Sequence, residues 1–259
     1  MIGSLTELIR FRHLVQVLVV RNIKVKYQQS FLGFLWTFLN PVLILSVLLA
    51  VFTRVVRVDI ESYWAFLLSG YFVYHFVSQT AVASASVLPE YATMVRGVYF
   101  PREIPILAAV TSRFLEFLIE IGFALLLLIF FRHGGMPSGF ALFPYLVLLM
   151  FSLVLGLALP ISALSVFYYD VRYLLPIGLT ALFYVSPVIY SADMVPERYH
   201  TLYLLNPVAS LLDLFHIALY KGVFPPLSYL GFVSLEIALI FVVGYVVFRR
   251  FQPDFAEVL

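Results

Sequence analysis

Apolar residues run through this chain in stretches on the scale of a membrane, separated by short polar breaks. Near the start, Ser4 with Glu7 three residues later reads as a capping box, which predicts a helix from about Leu5. Leu8, Phe11, Val15 and Leu18 then recur at helical spacing, with Arg10, His13 and Arg21 off that stripe. Such a segment (residues 1–30) is expected to lie along the membrane interface rather than to cross it. Six stretches follow that approach or exceed the ~20 residues needed to cross ~30 Å of hydrocarbon as a helix. They run from Phe34 to Val56 (entered through Leu32-Gly33-Phe34-Leu35-Trp36 and holding Pro41), Tyr63 to Leu88, Ile104 to Phe131, Phe143 to Phe167, Leu174 to Tyr190, and Leu227 to Phe248. The last is stopped by Arg249 and Arg250. The second is aromatic in its first half and small in its second (Ala81, Ala83, Ser84, Ala85, Ser86), which lets helix backbones approach closely in lipid.

The connection from Ser191 to Gly222 is too long for a tight turn and too apolar for a solvated loop. Tyr203-Leu204-Leu205-Asn206-Pro207 is followed by Leu211, Leu212, Leu214, Phe215, Ile217, Ala218 and Leu219. Two half-length helices broken at Asn206-Pro207 would form a re-entrant outer hairpin, since irregular backbone at that depth must be covered by protein or line a wet cavity. An amphipathic hairpin on the surface is the alternative.

Composition agrees with the pattern. Hydrophobic residues make up 63% of the 259 and charged residues 12%, where soluble domains carry about 25%. The fold class is therefore an all-α integral membrane protein, one domain over 1–259. A net charge of +2 without a Lys/Arg block does not suggest nucleic acid, and the absence of cysteine excludes disulfides and thiol chemistry. Arg10, Arg12 and Arg21 interrupt the first apolar stretch with no small-residue cleavage site after it, so no cleavable signal is expected. With the N-terminus inside, Arg10, Arg12, Arg21, Lys24, Lys26, Arg96, Arg102, Arg172, Arg249 and Arg250 are cytoplasmic. Only Arg54, Arg57, Arg132, Arg198 and Lys221 fall outside. The positive-inside bias thus predicts both termini in the cytoplasm.

Enzyme signatures are sparse. The chain has no P-loop and no metal-ligand spacing, and its five histidines (His13, His75, His133, His200, His216) are dispersed, four of them at or beyond a membrane surface. Arg113, Glu116 and Glu120 share one face of the third span, as a proton relay or as a structural ion pair. Glu236 is the other mid-span charge. Of the 26 Phe and 17 Tyr, many cluster near span ends. Tyr71, Tyr74, Phe76, Phe183, Tyr184 and Tyr190 are candidates for an aromatic-lined sugar channel, because C–H groups of a sugar pack on ring faces while its hydroxyls reach Tyr O–H. Interfacial belt positions are the other explanation. Arg21, Lys24 and Lys26 are placed either to meet an anionic head group or simply to anchor the inner face.

Three segments carry a family resemblance. Arg21-Asn22-Ile23-Lys24-Val25-Lys26-Tyr27 running into Leu32 to Pro41 resembles the entry of permeases from type-2 ABC polysaccharide exporters. Val98-Tyr99-Phe100-Pro101-Arg102-Glu103-Ile104-Pro105 is similar to that family's loop after the second span, and Tyr184-Val185-Ser186-Pro187-Val188-Ile189-Tyr190 with Asn206-Pro207 to its fifth span and outer hairpin. Tyr169 and His216 stand where arginine is common in the family. The resemblance implies a homodimer in the bacterial inner membrane, and two separate ATPase subunits that bind the ATP and Mg, with no cofactor in this chain. The cargo it implies is lipid-linked polysaccharide (O-antigen first, with teichoic acid and capsule as kin). It also implies that residues 89–103 form a coupling helix docking on the ATPase, with Glu90, Tyr91, Met94, Arg96, Tyr99 and Arg102 as contacts. Arg21, Lys24 and Lys26 would hold the pyrophosphate of the lipid. A membrane-embedded enzyme acting on lipid-linked sugars is the competing class. It would need convergent carboxylates or histidines, of which the sequence offers Glu116 and Glu120.

Overall fold

The computed structural model describes residues 7, 9–28, 31–97, 100–131 and 138–258. Ser4, Leu5, Leu8, Val98, Tyr99, Arg132, His133 and Met136 lie outside them, and with them the capping box and one candidate coupling contact. The described chain is helical. We number its α-helices α1 (Arg12–Tyr27), α2 (Trp36–Ala50), α3 (Tyr63–Glu90), α4 (Ala92–Gly97), α5 (Glu103–Phe131), α6 (Phe143–Phe167), α7 (Val171–Val185), α8 (His200–Leu204), α9 (Pro207–Phe215), α10 (Leu227–Phe251) and α11 (Phe255–Val258).

Among the described residues, four helical stretches are long and apolar enough to cross a membrane: Trp36–Val56, Glu103–Phe131, Ser138–Phe167 and Leu227–Asp254. They match the expected first, third, fourth and sixth spans. The expected second span is α3, 28 residues and long enough, but diluted by hydroxyls, His75 and Gln79. Those residues are affordable because α3 is the central helix, packed on α2, α5, α6, α7 and α9 instead of on lipid. The expected fifth span is shorter than anticipated. Instead of running from Leu174 to Tyr190, α7 ends at Val185, because Ser186 turns extended ahead of Pro187.

Close backbone contact holds the other large pair, α6 on α10. A Cβ at Gly244 would fall on the carbonyl oxygen of Gly156, and one at Gly156 would lie 2.8 Å from Phe241 Cα. Only glycine fits such a crossing, the small-residue packing on which helices in lipid rely. The small stretch of α3 behaves similarly, with Ser162 Oγ of α6 donating to the Ser84 carbonyl at 2.8 Å.

Two stretches end in π turns, Val51–Val56 after α2 and His216–Lys221 after α9. Each is closed by a residue in the left-handed region, Arg57 and Gly222, with Val58 N–H and Val223 N–H donating to Phe52 and Ile217 carbonyls. The break expected at Asn206-Pro207 is present. Asn206 Oδ1 accepts from the Val208 and Ala209 N–H groups and Pro207 takes the first helical position, where its missing donor costs nothing.

His216, expected at a membrane surface, is buried instead. Its ring stacks on Phe66 at 4.0 Å, Nε2 donates to the Pro187 carbonyl at 2.8 Å, and Nδ1 lies 2.8 Å from Ser69 Oγ. Gly70 leaves the room, since a Cβ there would lie 2.6 Å from His216 Cε1. One histidine therefore ties the α9 segment to α3 and to the end of α7. On the exposed side of the same connection, Lys221 donates to Asp193 Oδ2 at 3.2 Å, which holds that carboxyl below its ordinary range.

The chain's end returns to the start of α5. Buried Glu103 meets Arg249 Nη1 and Gln252 Nε2, each at 3.5 Å. Phe255 is fully buried against the rings of Phe248 (5.5 Å) and Phe167 (6.1 Å), and α11 rests against α4.

Candidate functional site

A carboxylate on an apolar helix is tolerated only with partners, and α5 shows how they are supplied. The face of α5 that carries Arg113, Glu116 and Glu120 is covered by α1, whose last turn delivers Lys26 and Tyr27. Lys26 Nζ donates to both oxygens of Glu116, at 3.0 and 2.8 Å, and Arg113 Nη1 donates at 3.1 Å from one turn away. The Tyr27 hydroxyl donates to Glu116 Oε1 at 2.8 Å and lies 2.6 Å from Thr37 Oγ1 on α2. One buried carboxylate thus joins three elements. One turn on, Glu120 Oε2 lies 3.3 Å from His75 Nδ1 of α3. Of the two readings of the Arg113/Glu116/Glu120 face, the geometry is that of ion pairs.

A cleft lined by both polar and apolar groups lies on either side of this cluster. One, of about 330 Å³, continues past Trp36, Asn40, His75 and Glu120. The other, of about 310 Å³, continues past Arg21, Asn22, Ser86, Glu90 and Tyr91. Lys26, Gln79, Arg113 and Glu116 line both.

The three candidate head-group cations are placed differently. Arg21 lies over the Tyr91 ring, 4.9 Å from its centroid, while Tyr91 O–H donates to Asn22 Oδ1 at 2.8 Å. Lys24 is exposed, and Lys26 is held by Glu116.

The candidate coupling residues surround the short helix α4. Glu90 and Arg96 are exposed, Met94 is half-buried, Tyr91 and Val95 are buried, and Arg102 lies over the Phe100 ring at 5.1 Å. Tyr99 is outside the described residues.

The candidate aromatics do not share one surface. Tyr71 (stacked on His75), Tyr74 and Phe76 are buried. Phe76 stacks on Phe117 at 4.9 Å, and Tyr74 donates to the Leu179 carbonyl of α7 while its ring meets Phe183 edge-on. Phe183 and Tyr190 are half-buried, with Tyr190 O–H donating to the Tyr184 carbonyl at 3.1 Å. Tyr184 is 63% exposed.

Sequence reasoning did not find Gly156, Gly244 or the Glu103–Arg249 pair. Nothing distinguishes a glycine at a helix crossing from one facing lipid, and a charge at a helix end reads the same whether paired or solvated.

This architecture, with apolar helices of membrane length and the Glu116 carboxylate of α5 held by Lys26 and Arg113, defines a polytopic helical membrane protein. The chain belongs to the ABC-2 type transporter family, whose pattern matches residues 13–220. It is 30% identical over 263 residues to the O-antigen export system permease protein RfbA of Myxococcus xanthus, covering 99% of each chain. To RfbA of Klebsiella pneumoniae it is 27% identical over 248 residues, 95% of each. The polysialic acid transport protein KpsM of Escherichia coli is 24% identical over 244 residues, 91% of this chain and 92% of that one.

Proposed function

We propose that this chain is the transmembrane permease of an ATP-driven exporter that moves lipid-linked polysaccharide, O-antigen above all, across the bacterial inner membrane. The observation that carries this reading is similarity along the full length to permeases named for O-antigen export. Two copies of the chain would work with two copies of a separate ATPase, which binds the ATP and Mg. The enzyme alternative loses support from the site, because Glu116 and Glu120 are engaged by Lys26, Arg113 and His75.

In this reading α1 lies along the inner interface. Six crossings include α3 and the short α7, and the segment through α8 and α9 dips into the outer leaflet. Both termini are cytoplasmic. The cysteine-free sequence makes that orientation simple to test. A single cysteine at Asp59, between α2 and α3, reacts with an impermeant maleimide added to intact cells. Labelling confined to broken cells reverses the orientation.

α4 and its flanks serve as the docking element, with α11 behind them. Exposed Glu90 and Arg96 supply charges to a groove on the ATPase, where losing such a contact costs about 1–3 kcal/mol. The double variant Glu90→Ala, Arg96→Ala therefore stays folded but loses ATPase association, or hydrolyses ATP without export. The assay pairs pull-down of the ATPase with transport of lipid-linked glycan in proteoliposomes. Undiminished export by the double variant excludes α4 as the coupling element. Failure of the native complex to move any lipid-linked glycan removes the proposed function itself.

A further inference from the structure

We infer that the Lys26–Glu116 pair closes a partition between the two halves of one groove, and that an anionic diphosphate head group opens it by taking Lys26 from Glu116. The inference deepens the export reading and rests on it for the source of the diphosphate.

Three observations lead here. First, the two clefts share their dividing wall. Lys26, Arg113 and Glu116 stand in both, with Arg21 and Glu90 beyond them on one side and Asn40 and His75 on the other. Removing the Lys26 bridge would join cavities of about 310 and 330 Å³, each already of small-ligand size. The joined groove would run from the α4 end of α3 to the middle of α5 with polar groups along its length.

Second, the shared wall itself holds two cations, Lys26 and Arg113, against the Glu116 carboxylate, with Arg21 beside it, while Glu120 and Glu90 stand further along the two clefts. A diphosphate meets those cations with charge-assisted hydrogen bonds, and a lysine ammonium on its flexible stem can turn toward it.

Third, the exchange leaves no bare charge. When Lys26 turns away, Arg113 at 3.1 Å and the Tyr27 hydroxyl at 2.8 Å still hold Glu116. Lys26 is also the more accessible of the two cations, its side chain 38% exposed against 25% for Arg113. A structural brace alone would need only one of them. With two, Lys26 is free to serve as the movable one.

The test uses the permease–ATPase complex in nanodiscs. A single cysteine replaces Asn40, in the cleft beyond the partition, and its reaction with a small water-soluble thiosulfonate is timed. Polyprenyl pyrophosphate in the nanodisc raises the rate about tenfold, whereas polyprenol, which lacks the phosphates, leaves it unchanged. Glu116→Gln, which no longer holds Lys26 by charge, labels at the raised rate with no probe added. Lys26→Arg keeps the partition shut until the probe arrives. Arg113→Ala stays shut because Lys26 still bridges, and shows by its normal elution that the cluster tolerates substitution. Inorganic pyrophosphate acting as well as the lipid assigns the opening to the diphosphate itself and upholds the mechanism. Equal rates for the native and Glu116→Gln proteins, with and without polyprenyl pyrophosphate, overturn it. Export that proceeds with those rates equal removes the partition and leaves the function. Faster labelling of Glu116→Gln, with a native complex that exports nothing, does the reverse.

Discussion

Replacing Gly244 with leucine abolishes the folded protein. Any Cβ at this position falls on the Gly156 carbonyl oxygen and comes within 3.2 Å of Pro160 Cδ, so α6 and α10 must separate to admit a side chain. Separation removes the largest helix–helix contact among the described residues. Alanine, the smallest insertion, already costs about 1–3 kcal/mol by overpacking, with Gly156→Ala in the same range. Gly231, on the same helix α10, supplies the control. Nothing lies within 4 Å of its would-be Cβ, and Gly231→Ala should be neutral or gain up to about 1 kcal/mol of helix propensity. Thermal stability of the detergent-solubilised protein, followed by size exclusion, checks the series. A Gly244→Leu protein that elutes and melts like the native one would show that the crossing is looser than described.

The second large effect separates two tyrosines that look equivalent in sequence. Tyr74→Ala lowers the amount of folded protein. The ring is buried between α3 and α7, meets Phe183 edge-on at 5.3 Å, and its hydroxyl donates to the Leu179 carbonyl. Truncating such an aromatic costs about 3–5 kcal/mol. Tyr184→Ala leaves protein level and ATPase binding intact and lowers export, because an exposed ring is available to a passing sugar and contributes little to packing. Tyr184→Phe keeps the stacking face and most of the export. Export at the native level from Tyr184→Ala would end its role in a sugar path. Quantitative blotting of membranes together with glycan transport distinguishes the two residues.

The sequence carried the fold where lipid contact wrote it. Runs such as Ile104 to Phe131 and Leu227 to Phe248 are long and apolar apart from Arg113, Glu116, Glu120 and Glu236, and both appear as helices within three residues of those limits. Asn206-Pro207 was equally plain, since a capping side chain followed by proline suits the first turn of a helix. Burial against protein writes a weaker signal. α3 carries His75, Gln79 and a file of hydroxyls because other helices surround it. His216 looked like a surface residue because its partners, Phe66, Ser69 and Pro187, are distant in sequence. The site was legible in the same measure. Spacing put Arg113 and Glu116 together, but the Lys26 contact spans 90 residues and no local pattern could announce it. Of the proposed channel aromatics, span-end position did not separate Tyr184 from the buried Tyr71 and Phe76. That depends on how α7 lies against α3.

Because α3 is one unbroken helix of 28 residues, it is a rod about 42 Å long. At one end it runs into Tyr91 and α4, and near the other Phe66, Ser69 and Gly70 grip His216 and so the α9 segment. The grip is by ring stacking on Phe66 and a 2.8 Å contact with Ser69 Oγ. Pivoting by about 5° at its Glu90 end would carry the far end of this rod through roughly 3–4 Å. A push too small to disturb α4 at the base is thus amplified at the opposite face to the width of a water molecule, and the histidine is where that lever arm takes hold of its load.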